Sequence, residues 1–164
     1  ANDLEWDLLT ASEVGGFPLS RLDVELTERF IREAHTATDI VDQLGALQRL
    51  GTCCVLDDFG TGHANLDCLL ALPLKGVKLD RRFISQASPS AGAIAAAVTG
   101  VAHHLDLFTV AEGVEVAADL DRARRLGCDR FQGFHLAHPM AFEDLVRRIE
   151  TAVAVPVADL RDTA

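Results

Sequence analysis

Residues 51–80 read GTCCVLDDFGTGHANLDCLLALPLKGVKLD. Cys53 to Leu56 is a short apolar run of the kind a buried strand requires. The acidic, glycine-bearing stretch Asp57-Asp58-Phe59-Gly60-Thr61-Gly62 breaks it. Apolar spacing predicts a short helix from about Asn65 to Leu72, stopped by Pro73, and Val77 to Leu79 is the next strand. A strand, a helix and a second strand in so short a span imply parallel pairing through a helical crossover.

The same alternation extends in both directions. Toward the amino terminus, a helix is predicted from about Asp3 to Val14, stopped at Gly15-Gly16. Leu22, Val24 and Leu26 then alternate with Asp23, Glu25 and Thr27, as in a strand. Ile40, Val41, Leu44, Leu47 and Leu50 form a helical stripe closed by Gly51. Toward the carboxyl terminus, a polar stretch at Ser85 to Ser90 precedes a helix marked by Ile94, Val98, Val101 and Leu105. Phe108 to Ala111 is a strand, Asp119 to Leu126 a helix capped by Gly127, and Cys128 to Gln132 a strand. Phe142, Leu145, Val146, Ile149 and Val153 stripe a last helix. Strand followed by helix recurs about five times, which admits an open doubly wound sheet or part of a closed eight-fold barrel. A full barrel typically needs about 250 residues, so a chain of 164 residues would supply about five of its eight units.

Composition narrows the function. With 49% hydrophobic and 24% charged residues the chain is an ordinary folded one. Its 25 Asp and Glu against 15 Lys and Arg give a net charge of −10, which argues against a groove for DNA or RNA. No apolar run approaches the ~18 residues of a membrane span, and no signal-like leader opens the chain, so no membrane segment is expected. The four cysteines lack zinc-ligand spacing and are expected to be buried, reduced and structural, as befits a cytoplasmic protein. Trp6 fits a core or a partner surface equally well. The Arg122, Arg124, Arg125 run reads as a solvated helix face.

Each predicted strand ends in charge or amide. The first ends in Glu25, Thr27 and Glu28, the second in Asp57 and Asp58, and the third in Lys78 and Asp80. The fourth ends in Glu112 with Glu115 beyond, and the fifth in Gln132. Parallel α/β folds collect their chemistry at the carboxyl ends of strands. Any one carboxylate here could be a turn or a helix cap. In a closed sheet all of them converge, and their mutual repulsion calls for a cation. All-oxygen ligands favour Mg²⁺, Mn²⁺ or Ca²⁺, and a central carboxylate can bridge two metals ~3.5–4 Å apart for phosphoryl displacement. Lys78, one of only two lysines, would bring positive charge to a water or a phosphate oxygen. A Schiff-base role for Lys78 would leave the carboxylates unexplained.

Five motifs in order, Glu25-Leu26-Thr27-Glu28, Asp57-Asp58-Phe59-Gly60-Thr61-Gly62, Val77-Lys78-Leu79-Asp80, Ala111-Glu112-Gly113-Val114-Glu115 and Phe131-Gln132-Gly133, closely resemble those of the EAL domain, the bacterial cyclic di-GMP phosphodiesterase. The resemblance runs from about Arg21 to Pro139. It implies a (β/α)8 TIM-type barrel, here partial, and a site holding two Mg²⁺ or Mn²⁺ ions that cuts cyclic di-GMP to linear pGpG. By position it implies Glu25, Asp57, Asp58 and Glu112 as metal ligands, with Asp57 bridging. Lys78 would orient the attacking water, with Glu112 and Gln132 as its catalytic companions. Gln132 and Asp80 would face the substrate. Glu28 would brace the loop from Asp58 to His63, and Asp80 and Glu115 would support the ligands.

The family's Glu-Ala-Leu motif and an Asn-bearing strand have no counterpart in the chain, which therefore reads as the carboxyl-terminal portion of such a domain over residues 1–155, followed by a frayed tail at 156–164. Two ligands of the first metal would be missing, so the chain alone is expected to be inactive. The other expectation is a non-catalytic module that senses cyclic di-GMP or binds a protein. Expected partners are cyclic di-GMP, a second copy in a homodimer, or an attached sensory or GGDEF domain. His63 stands where the family usually has an aromatic ring. His135 and His138 read as loop structure.

Overall fold

Alternation shapes the first strand. The computed structural model of the chain describes residues 3–27, 30–31, 37–60, 66–85 and 88–153. Strand β1 (Asp23–Thr27) sends Val24 and Leu26 toward the core and leaves Asp23, Glu25 and Thr27 on the other face. It follows helix α1 (Asp3–Gly15) and a 3₁₀ turn at Leu19–Arg21. Then come α2 (Ala37–Arg49), β2 (Cys53–Phe59), α3 (Asp67–Ala71), β3 (Gly76–Leu79), α4 (Arg81–Ser85), α5 (Pro89–His104), β4 (Phe108–Ala111), α6 (Ala117–Arg125), β5 (Arg130–Phe131) and α7 (Phe142–Val153). The strands pair in chain order, β1-β2-β3-β4-β5, and every pair is parallel. This is the sheet of a partial α/β barrel, one of the two arrangements that the strand–helix repetition admits and the one that the family resemblance implies.

One core lies between the sheet and its helices. Leu26, Cys54, Leu56, Val77, Leu79 and Ala111 of the strands join Ile40, Leu44 and Leu47 of α2, Ile84 of α4 and Ala102 of α5. The α2 residues recur at helical spacing on one stripe, which is why that helix forms where the sequence predicts it. On the other face of the sheet, Arg130 of β5 donates to Asp23 of β1 at 2.8 Å. Its guanidinium lies 3.6 Å from the centre of the Phe108 ring. The first and last strands of the sheet thus meet through side chains near their amino-terminal ends, and the sheet is curled rather than flat.

Several boundaries differ from the sequence reading. Strand β2 runs on through Asp57 and Asp58 to Phe59, because its pairing with β3 shifts register between Leu56 and Phe59. A bulge of this kind inserts a residue and re-aims the side chains around it. Leu56 and Phe59 both reach the core, and the two aspartates between them are spared burial. Helix α4 falls where a loop is expected at Ser85, and α5 begins at Pro89, with the Ser88 hydroxyl accepting from Ala91 N at 3.5 Å. Strand β5 is two residues long, although Asp129 N and Gln132 N on either side still donate to the Thr109 and Ala111 carbonyls.

None of the four cysteines is in a disulfide, but only Cys54 and Cys128 are buried, whereas Cys53 and Cys68 are half-buried. Burial pushes the Cys54 thiol up to about 11, so it is inert at neutral pH. Trp6 is exposed. Arg122 departs from the solvated face expected of it, for it donates to the Ile84 carbonyl and pairs with Asp119. No described helix is long and apolar enough to cross a membrane. The tail at 156–164 lies outside the described residues.

Candidate active site

The carboxyl ends of the strands converge on Lys78. It sits on β3, the middle strand, between the fully buried Val77 and Leu79, and is itself only 4% exposed. Its Nζ lies 2.9 Å from Glu25 Oε2 on β1, 3.0 Å from Asp57 Oδ1 on β2 and 2.7 Å from Glu112 Oε1 just after β4. Four strands therefore contribute to one cluster. The register explains the meeting: Thr27 pairs with Asp57, and Lys78 with Val110, two residues before Glu112. Lys78 is thus a buried lysine on the central strand of the sheet.

The charges perturb one another. Burial pulls the Lys78 pKa down, but hydrogen bonds to Glu112, Glu25 and Asp57 outweigh it and hold the ammonium above lysine's ordinary value. Glu112 is pushed above the ordinary carboxylate range, chiefly by burial, with Asp57 and Asp58 adding like-charge repulsion against the pull of Lys78. A carboxylate in that position gains from a further cation.

The donors fit one. Asp57, Asp58 and Glu112 each offer a carboxylate oxygen, and these three lie within 4.8 Å of one another. Hard, all-oxygen donors of this spacing suit Mg²⁺ or Mn²⁺. The bulge makes it possible, since an unbroken strand would send one of two consecutive aspartates into the core. Glu25 stands apart from that trio and joins the cluster through Lys78.

A cleft of about 300 Å³ adjoins the cluster, lined by Asp80, Arg81, Glu112, Gly113, Glu115, Gln132, Gly133 and Phe134. The three residues expected to face substrate or support ligands, Asp80, Glu115 and Gln132, are all here, sharing Glu112 with the cluster. Gln132 is held by its backbone, whose N donates to Ala111 O at 2.9 Å and whose carbonyl accepts from Val114 N at 3.1 Å. Gly133 permits that approach, because a Cβ there would stand 2.2 Å from Val114 O. Glu115 pairs with Arg81 at 2.7 Å, and Asp80 with Arg82 at 2.8 Å. Neither arginine stands out in the sequence. The only signal is their place directly after Asp80. Phe134 stacks on His138, with ring centroids 4.5 Å apart, consistent with loop structure for that histidine. Glu28 and residues 61–65, including His63, lie outside the described residues.

The sequence pattern of the EAL domain family matches residues 4–139. The bifunctional diguanylate cyclase/cyclic di-GMP phosphodiesterase MucR of Pseudomonas aeruginosa is 38% identical over 133 residues, which are 79% of this chain and 19% of MucR. The crystal structure of the EAL domain of Mycobacterium smegmatis DcpA superposes with a TM-score of 0.80 at 30% identity, over 90% of this chain and 66% of that one. A manganese and cyclic di-GMP complex of Klebsiella pneumoniae BlrP1 superposes with a TM-score of 0.72 at 26% identity, over 80% of this chain and 33% of that one. The chain spans about a fifth of MucR's length.

Proposed function

The chain belongs to the EAL domain family, and from that premise we propose that it is part of a domain that hydrolyses cyclic di-GMP to linear pGpG with two divalent ions, Mg²⁺ or Mn²⁺, in the cytoplasm. The observation that carries this reading is the Lys78 cluster, in which a buried ammonium and carboxylates from β1, β2 and the end of β4 share one mouth. Residues 1–155 would be the part of that domain that the chain supplies.

Asp57, Asp58 and Glu112 would hold one ion, and Asp57 with Glu25 would contribute to the other. Bound there, divalent ions supply Lewis-acid polarisation of a phosphate oxygen and lower the pKa of a water. The protein's own groups do the rest. The Lys78 ammonium orients the attacking oxygen and offsets its charge. Bonded to three carboxylates, it would act as a fixed cation and not as a base. Glu112 borders both cluster and cleft and would meet the phosphate through a bound ion, while Gln132 lines the cleft, where its amide would orient the phosphate. Asp80 and Glu115 face the cleft as acceptors, held by Arg82 and Arg81. Arg81 lines the cleft but is paired with Glu115, so bound cations would supply the positive charge an anionic ligand needs.

Glu25 and Asp57 alone offer few oxygens to the first ion. Loss of one ion of a pair costs several kcal/mol of barrier, about 10³-fold or more in rate. The test is conversion of cyclic di-GMP to pGpG by this chain and by a domain completed with the amino-terminal segment of an EAL relative. The completed domain should turn over with Mn²⁺ and lose turnover by about 10³-fold on Asp57→Ala, while the chain alone should be nearly inactive. Binding of cyclic di-GMP by the completed domain with no turnover would leave a sensing module in place of an enzyme.

A further inference from the structure

We propose that Arg82 is a positioning residue for this site: it latches the turn that carries Asp57 and Asp58 to the Asp80 end of β3. The proposal rests on the metal-site reading above. Arg82 is the second residue of α4, which begins directly after Asp80. Its backbone N and its Nε both donate to Asp80 Oδ1, at 2.9 and 2.8 Å. Its Nη2 donates to the Gly60 carbonyl at 2.7 Å. One side chain thus ties the strand end two residues beyond Lys78 to the backbone two residues beyond Asp58.

The turn needs an outside hold. Asp58 has φ 55°, a left-handed conformation in which a Cβ crowds the following carbonyl oxygen. Gly60 has φ 98°, and a Cβ there would lie 2.2 Å from the Phe83 ring. Consecutive residues of α4 therefore grip Gly60, the Phe83 ring against its Cα and the Arg82 guanidinium on its carbonyl. A planar guanidinium reaches two acceptors at once with fixed geometry, which an ammonium on a flexible stem does not reproduce. The latch aims the Asp58 carboxylate at the oxygens of Asp57 and Glu112, and it sets the turn against β3, where Lys78 takes the other oxygens of the cluster.

Arg82 is half exposed, so the latch is modest. A loss of about fivefold in Mn²⁺ affinity is expected on Arg82→Ala, the equilibrium equivalent of about 1 kcal/mol. Arg82→Lys should fall between the two, because it keeps the charge and can serve one acceptor. The experiment titrates Mn²⁺ into the 164-residue chain by calorimetry for wild type, Arg82→Ala, Arg82→Lys and Asp57→Ala, with circular dichroism and melting curves for each. A residue with a merely structural role would lower the melting temperature and leave the affinity of folded molecules unchanged. Folded Arg82→Ala binding Mn²⁺ as tightly as wild type, while Asp57→Ala does not, would overturn the latch and leave the site reading intact. Unchanged affinity in Asp57→Ala as well, or no Mn²⁺ uptake by wild type, would overturn the site reading and the latch with it. Should Arg82→Ala not fold, the Arg82→Lys affinity decides: equal to wild type, it overturns the latch.

Discussion

Replacing Lys78 by methionine removes one ammonium from three carboxylates and keeps the volume of the stem. Nζ lies within 3.0 Å of Glu25, Asp57 and Glu112, and the lysine is 4% exposed. Breaking a buried ion pair by removing one partner costs about 3–5 kcal/mol, because the other charge is left buried. Here the Glu25 side chain is 48% exposed and screened by water, whereas Asp57 and Glu112 are largely covered. The lower end of that range, about 3 kcal/mol, is therefore expected for Lys78→Met. At about 2–4 °C per kcal/mol for a chain of this size, the melting temperature should fall by about 6–12 °C in EDTA. Mn²⁺ should restore part of the loss, since a ligand at a hundred times its Kd stabilises the folded state by about 2.7 kcal/mol. The variant should gain more from Mn²⁺ than wild type, where the ammonium already bonds two of the same carboxylates. Thermal unfolding followed by circular dichroism, in EDTA and in Mn²⁺, measures both effects. A Lys78→Met chain that melts within about 1 °C of wild type in EDTA would refute the coupling of these charges.

Gly133→Ala should destabilise the chain by about 2 kcal/mol or more in urea unfolding, because its Cβ would lie 2.2 Å from a backbone oxygen that cannot yield cheaply. Asp129 gives an acid-sensitive contribution at the other end of the sheet: burial opposes its charge, but bonds from Thr109 N and Oγ1 and from the facing His103 hold its pKa below the ordinary 3.8. A lowered carboxylate pKa stabilises the fold fully above the unfolded value and loses that contribution as pH falls through the folded value. The stability difference between wild type and Asp129→Asn should therefore hold at about 1 kcal/mol near neutral pH, allowing for screening at this half-exposed side chain. It should shrink below pH 3.8 in urea titrations across that range.

The period of the hydrophobic residues made most of this architecture legible. Val24 and Leu26, Ile40 with Leu44 and Leu47, and the buried run at Val77 to Leu79 declare their faces without tertiary information, and all join the core. The polar residues at strand ends were legible for the same reason, since alternation alone puts Glu25 opposite Leu26. What the pattern hid was local. The β2 bulge has no periodic signal, because an apolar run that meets two aspartates looks like an ending and not like a strand that shifts register. Helix α4 spans five residues, too few to show a helical period, so Arg81 and Arg82 remained anonymous polar residues after Asp80. The closeness of Arg130 to Asp23 spans 107 residues of sequence and follows only from the curl of the sheet.

The charge of the mouth connects these observations to the acidity of the chain. The Lys78 ammonium offsets part of the repulsion among the carboxylates of the mouth. Yet one ammonium serves Glu25, Asp57 and Glu112, with Asp58 adjoining, so carboxylate remains in excess. In a chain of net charge −10 that excess repels any phosphate approaching the mouth. An anionic dinucleotide and an acidic mouth are compatible only with positive charge between them, and the elevated Glu112 pKa marks where such charge is most wanted. Arg81 lines the adjoining cleft and Arg82 follows it in the chain, but each is already paired with a carboxylate. On the proposed function a bound ion is the cation that reconciles ligand and mouth, so the metal-free chain should show little affinity for the dinucleotide that the proposed enzyme cuts.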